Sequence, residues 1–208
     1  MLLTKENFRQ ICLQQARLVA RRHYSLDHII RVRLSKMIAR LKPRSLLVYI
    51  PLGSEVDLMP LVKIWRKNMK IYTPFMREVS FDMVEYRLPL KRKKFGIRES
   101  SGRVYRYTKI DVAIVPIVGM DSQYKRIGFG KGMYDRFFGH LSYHPTTIFI
   151  QRSACMTSLE LTDFYDIQAD YVITSELTLV NESRNYDLRN FGIRSDKRCG
   201  RFRHRKTT

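Results

Sequence analysis

Residues 111–136 read DVAIVPIVGMDSQYKRIGFGKGMYDR, and their pattern decides the fold. The stretch opens on an apolar, β-branched run from Val112 to Val118, interrupted by Pro116. A short apolar run bounded by a proline loop predicts a buried strand. Gly128, Gly130 and Gly132 then alternate with Phe129 and Lys131, and Met133 to about His140 predicts a helix. A strand, a glycine loop and a helix N-terminus in that order make an anion site. Glycine lets the backbone come close to a ligand, and the first turn of a helix offers unpaired N–H groups and the positive end of its dipole. Arg126 and Lys131, read as loop charges, add full positive charge. Asp135 follows, where a carboxylate can hold a divalent ion against a phosphate. The glycine spacing is neither the dinucleotide fingerprint nor the P-loop. An ordinary turn before a helix would also account for three glycines. By itself the stretch therefore specifies an α/β protein with a phosphate-binding loop and no particular reaction.

Upstream, Leu46–Ile50 is a continuous apolar run that predicts a central strand. After the Pro51-Leu52-Gly53 loop, Ser54 can cap a helix running through Leu58, Leu61, Val62 and Trp65, with Glu55 in its first turn. Lys70–Thr73, closed by Pro74, predicts the next strand, and strand–helix–strand order argues for parallel pairing. Two helices precede this unit. One spans residues 4–22 with Thr4 as cap and an apolar stripe of Phe8, Ile11, Cys12, Leu18 and Val19; the other runs from Ser25 to Leu41, before Pro43. Residues 81–88 predict a further strand, and the basic, glycine-containing stretch up to about residue 109 predicts a surface loop. Downstream, Thr147–Ile150 predicts another buried strand, and Asp166 reads as a turn residue before Tyr171–Thr174. The expected architecture is a three-layer α/β/α sandwich with a mostly parallel central sheet, its ligand site beyond the C-terminal strand ends, and residues 70–110 supplying antiparallel edge strands.

At 208 residues the chain is expected to form one domain over residues 1–183, with residues 184–208 as a basic C-terminal extension. An apolar fraction of 44%, with 12 Tyr and 11 Phe, is that of a folded chain. No window reaches the roughly 18 apolar residues of a membrane span, and the N-terminus lacks the apolar core of a signal peptide. Cys12, Cys155 and Cys199 are scattered and odd in number, so neither zinc nor a disulfide is expected, and a reducing cytoplasm is the simplest compartment. The formal charge of +20 attracts polyanions: nucleic acid, a phospholipid surface, or an acidic substrate. The extension can bind RNA without specificity, dock back on the body, or be inert.

The string Arg126-Ile127-Gly128-Phe129-Gly130-Lys131-Gly132-Met133-Tyr134-Asp135-Arg136 resembles the R-L-G-x-G-x-G-Y-Y-D-R signature of 5-formyltetrahydrofolate cyclo-ligases, with Met133 where the family usually has tyrosine. Weaker similarities extend from Lys5 to Thr174. Lys5 and Arg9 match a K-x-x-x-R pattern, Glu55-Val56-Asp57 an E-V-D element, Phe95–Glu99 an aromatic-G-I-x-E-P element with Ser100 in place of proline, and Gln151 a glutamine after a strand. Around Asp166, Tyr165 stands where the family has histidine.

The resemblance implies ATP- and Mg2+-dependent cyclisation of 5-formyltetrahydrofolate to 5,10-methenyltetrahydrofolate, with release of ADP and phosphate, after phosphorylation of the formyl oxygen. It implies catalytic roles for Lys131, Arg126 and Tyr134. ATP contacts are implied at Lys5, Arg9 and residues 126–134, that is Arg126, Ile127, Gly128, Phe129, Gly130, Lys131, Gly132, Met133 and Tyr134. Folate contacts are implied at Ile50, Glu55, Phe129 and Met133, and Mg2+ at Asp135 and Asp166. The working unit is expected to be a monomer that needs no membrane and no nucleic acid.

Overall fold

Thr4 starts the first helix, α1 (Lys5–Leu18): its hydroxyl accepts the Asn7 N–H at 3.2 Å, satisfying one of the amides a helix start leaves unpaired. One turn of 3-10 helix leads into α2 (His23–Leu41), which ends where Lys42 turns left-handed ahead of Pro43. There follow β1 (Ser45–Val48), α3 (Met59–Trp65), β2 (Lys70–Met76), β3 (Phe81–Glu85), β4 (Lys91–Arg92), β5 (Arg98–Glu99), β6 (Val104–Tyr105) and β7 (Val112–Pro116). The last elements are β8 (Gly119–Met120), β9 (Arg126–Ile127), α4 (Met133–Gly139), β10 (Thr146–Ile150), β11 (Tyr171–Ile173) and β12 (Thr178–Val180). The structure, a computed structural model, describes residues 2–92, 98–100, 102–105 and 108–184. Phe95-Gly96-Ile97 and all but Arg184 of the basic extension lie outside the described residues.

The main sheet has the order β12-β11-β10-β7-β1-β2-β3-β6. Its five central strands are parallel, and β12 at one edge and β3 and β6 at the other are antiparallel. Alternation along each parallel strand builds two cores. Leu46, Val48, Val112, Ile114, Ile148 and Ile150 face α2 and α3, while Leu47, Ala113, Val115 and Phe149 face the side of α4. These are the three expected layers. The parallel order, with β1 flanked by β2 on one side and β7 on the other, reverses direction between β1 and β7. Loops leaving these two strands diverge and open a crevice at their C-terminal ends, where open α/β sheets bind ligands. Among the described residues no helix is long and apolar enough to cross a membrane.

Several boundaries depart from expectation for local reasons. β1 stops at Val48, and no helix starts at Ser54. Instead the Leu52 and Glu55 backbones close a turn, the Asp57 carboxylate accepts the Met59 N–H at 2.9 Å, and α3 starts after Leu58 with Pro60 in its first turn. β2 runs on through Pro74, because its pairing with β1 ends at Tyr72 and the strand is paired on one side only beyond it, where a missing N–H is tolerated. The expected surface loop contributes three short strands. Glu99 and Ser100 within it are buried, and the Ser100 hydroxyl accepts the Arg87 N–H and donates to the Glu85 carbonyl, both at 2.7 Å. On α1 only Phe8 and Cys12 of the apolar stripe are buried; Ile11 and Leu18 are exposed, because the helix touches the body along one narrow face.

The expectation of no disulfide is overturned. Cys12 on α1 is bonded to Cys155, just past β10, across a Cα–Cα distance of 5.6 Å. A separation of 143 residues hides such a pair from any local pattern, and the cysteine-based reason for a reducing compartment falls with it. The bridge sits with Phe8, Val118 and Ile127 in a third apolar cluster that fastens α1 to the β8–β9 hairpin.

Candidate active site

Two openings lie toward the C-terminal end of the parallel strands. The larger, about 480 Å³, lies between α1, the glycine loop and α4. Four cations reach it: Lys5, Arg9, Arg126 and Arg136. The smaller, about 50 Å³, lies at the β1–β7 switch point, with Glu55 and Val56 from the loop after β1, Ile117 and Val118 from the loop after β7, and Phe129 from the glycine loop in its walls.

The glycine loop is shaped by its arginines. Arg126 belongs to β9, not to a loop as expected, and is only 6% exposed. Its Nε donates to the Pro116 carbonyl at 3.1 Å, and its Nη1 lies 3.5 Å from the Asp135 carboxylate. A Cβ on Gly128 would lie 2.4 Å from that guanidinium, so any other residue there would displace it. Arg9 Nε donates to the Gly128 carbonyl at 2.7 Å, which ties α1 to the loop. Gly130 has φ +94°, open to glycine and costly for other residues. Arg136, absent from the expected ATP set, donates to the carbonyls of Lys131 and Val79, so it braces the loop from below and lines the opening. Arg136 follows Asp135 directly in the quoted string, which was the signal for it. With only seven residues, α4 is a short helix, so anion attraction here falls mainly to the four cations.

Lys5 Nζ donates to Asp166 at 2.5 Å and to Asp163 at 3.1 Å. Burial alone would lower the pKa of Lys5; the bonds to Asp166 and Asp163 outweigh it and hold the pKa above its ordinary value. Asp163 is shifted down, by the Lys5 hydrogen bond first and then that of Tyr165. Asp166 is buried and also accepts the Asp163 N–H at 2.7 Å. Asp135 and Asp166 thus line one opening, each next to a cation of the chain itself. Among the described residues no cluster of three or more His, Cys, Asp or Glu could form a metal cage. Asp135 and Asp166 are the carboxylates of this opening that could hold Mg2+, which takes one or two carboxylates with water and ligand oxygens.

Glu55 accepts the Leu52 N–H at 2.9 Å, and its pKa is raised by burial against the pull of that bond and of Arg126 and Arg152. Its loop is clamped from behind. Arg152 Nε and Nη2 bond the Asp27 carboxylate at 2.7 and 3.1 Å, and Arg152 also donates to the carbonyls of Ser54 and Glu55. Asp27 in turn accepts the Asp57 N–H. Nothing local in the sequence marks this pair, whose members are 125 residues apart. Tyr134 packs on the core against Phe81. Its ring lies 5.0 Å from the Arg126 guanidinium, and its phenol is pushed far up by burial and then by the Glu55 charge, so it donates a proton only in hydrogen bonds at neutral pH.

The remaining expected residues divide clearly. Lys131 is exposed at the loop tip and, among the described residues, has no ion-pair partner, leaving its charge free. Phe129, 47% exposed, lines the smaller cavity and not the larger. Ile127 is fully buried in the α1 cluster and offers a ligand only its backbone. Met133 packs beneath α4 against the sheet and lines neither opening. Ile50 is half-buried just beyond β1.

The profile of the 5-formyltetrahydrofolate cyclo-ligase family matches residues 4–158, which takes in α1, the sheet from β1 to β10, the glycine loop and Cys155. The chain belongs to the 5-formyltetrahydrofolate cyclo-ligase family. The cyclo-ligase of Escherichia coli K12 is 27% identical over 112 residues, covering 48% of this chain and 59% of the relative. That of Haemophilus influenzae is 22% identical over 131 residues, covering 59% and 70%. The chain thus spans about three fifths of the Escherichia coli cyclo-ligase it matches. Two solved structures share the cyclo-ligase fold. The 5,10-methenyltetrahydrofolate synthetase of Aquifex aeolicus superposes with a TM-score of 0.72 at 24% identity over 85% of this chain and 92% of its own. That of Mycoplasma pneumoniae gives 0.67 at 22% identity over 82% and 98%.

Proposed function

We propose that the protein closes 5-formyltetrahydrofolate to 5,10-methenyltetrahydrofolate at the expense of ATP. The observation that carries this reading is that the glycine loop walls two openings, one lined by four cations together with Gly128, Gly130 and Gly132, the other by Phe129 and the half-buried Glu55 carboxylate at the strand switch point. The first suits a triphosphate. Lys5, Arg9, Arg126 and Arg136 balance its charge, and the loop at Gly128–Gly132 lets amides approach it. Lys131, free at the loop tip, can fold over the terminal phosphate. Asp135 and Asp166 would hold Mg2+, which supplies charge neutralisation on the phosphates when bound.

The second opening suits the pterin. Glu55 accepts hydrogen bonds from its N–H groups, Phe129 covers a ring face, and Ile50 lies at the strand end beside them. At about 50 Å³ the cavity holds only a few waters, so Phe129 and the facing wall must part on binding. The formyl oxygen then attacks the γ-phosphorus and ADP leaves; N10 attacks the activated carbon and phosphate leaves. Ring closure is intramolecular, so the protein's task is to hold the atoms in line and neutralise charge. The Tyr134 phenol, kept protonated, can donate to a developing oxyanion. Among the described residues the last strand of the sheet ends at Val180, which supports residues 1–183 as the working unit.

The test is the absorbance of methenyltetrahydrofolate formed from 5-formyltetrahydrofolate by the purified chain. Product dependent on both ATP and Mg2+ is expected. ATP binding without product at saturating folate would overturn the reading in favour of another phosphate-using α/β enzyme.

A further inference from the structure

A second large cleft, about 670 Å³, lies at the opposite end of the sheet. Arg44 immediately precedes β1, Lys70 starts β2, Arg66 and Lys67 end α3, and Arg87 follows β3. Five cations therefore line one concavity. Glu85 is the acid among its lining residues, and it is paired with Arg87 at 3.0 Å. Among the described residues, Arg44, Arg66, Lys67 and Lys70 have no carboxylate within salt-bridge distance. A helix C-terminus favours Arg66 and Lys67, but no dipole accounts for Arg44 or Lys70 at the N-terminal ends of strands. Backbone bonds from Lys70 to Arg44 and from Tyr86 to Ile71 fix the floor. The Arg66 guanidinium lies 5.7 Å from the ring of Tyr86, which is buried. The cleft thus offers charge in a fixed recess and no exposed aromatic face for a base.

We propose that this cleft binds the phosphodiester backbone of single-stranded nucleic acid, independently of the folate site. The position of the cations favours a strand over a membrane, because they line a recess of about 670 Å³, whereas a lipid surface meets a flat or convex face. Recognition is expected to depend little on sequence, because cations dominate the described lining and Asn68 is its one side-chain amide. At about −0.7 in log affinity against log salt per phosphate contact, the four unpaired cations contribute a slope of roughly −3.

The experiment is fluorescence anisotropy of a labelled uridine oligonucleotide titrated with the full chain across a salt series, with the matching thymidine oligonucleotide as a second arm. Arg66→Gln/Lys67→Gln should shallow the slope by about 1.4 and weaken binding by on the order of 25-fold at about 0.1 M salt. Lys67→Gln/Lys70→Gln, which spares the Arg66–Tyr86 contact, should do the same if the first variant folds poorly. Arg21→Gln/Arg22→Gln, between α1 and α2, serves as the charge-matched control and should change the slope far less. Equal affinities for the two oligonucleotides are expected, and cyclisation should be unchanged in the cleft variants. A cleft variant that binds the oligonucleotides like wild type, or a control that loses as much, overturns the proposal; so does a parallel sedimentation with phosphatidylcholine–phosphatidylserine vesicles in which the cleft variants lose vesicle binding but keep the oligonucleotides.

Discussion

Replacing Arg152 by methionine is the perturbation whose size the structure best defines. Arg152 is 9% exposed and Asp27 is 2% exposed, so the pair is out of water. Methionine matches the length of the arginine stem and removes only the charged head. Four contacts go with it: two to the Asp27 carboxylate and one each to the Ser54 and Glu55 carbonyls. Asp27 keeps the Asp57 N–H but loses its counter-charge. Breaking one side of such a pair costs about 3–5 kcal/mol, because the remaining charge stays buried. Urea unfolding should therefore shift by that amount at pH 7. Asp27→Leu in the Arg152→Met background should recover much of the loss, since an apolar pair of similar volume carries no such penalty. The clamp also fixes the Glu55 loop, so the single variant, assayed where it remains folded, should raise KM for the folate with a smaller change in kcat. A loss below about 1 kcal/mol, or no recovery in the double variant, would refute the view that this pair is desolvated and holds the loop.

Lys131→Ala should cut turnover with no shift in thermal unfolding, whereas Arg126→Ala should lower both, the stability by about 3 kcal/mol, because it strips Asp135 of its partner in a buried setting; scanning calorimetry beside the absorbance assay checks the contrast. Glu55→Gln should stabilise the fold at pH 7 while weakening folate binding. The folded pKa of Glu55 lies above the ordinary 4.5, so its ionised form costs stability as pH rises through that pKa and costs nothing below about pH 4.5; a gain that persists at pH 3 would contradict this. Cys12→Ser should destabilise the oxidised protein by up to about 5 kcal/mol, the chain-entropy value for a loop of this length, and a thiol reductant should bring wild type to the same point. Asp135→Asn should raise the Mg2+ concentration needed for half-maximal rate, and an identical titration would count against metal binding there.

The sequence by itself determined the layered α/β class, most of the strands and the position of the phosphate loop. Those features are local: apolar runs of strand length, prolines that end them, and glycines beside arginines. The tertiary structure alone decided the rest. Arg126 reads as a loop cation from its neighbours and proves to be a buried strand residue, because the Asp135 carboxylate and the Pro116 carbonyl receive it. Glu55 reads as a helix-start charge and instead closes a turn, because its carboxylate and its N–H both bond the Leu52 backbone and the helix begins only at Met59. The Cys12–Cys155 bridge, the Lys5–Asp166 pair and the Arg152–Asp27 clamp join residues more than a hundred positions apart. Such contacts exist only once parallel strand order has brought the chain's beginning over its end, and no window of sequence contains both partners.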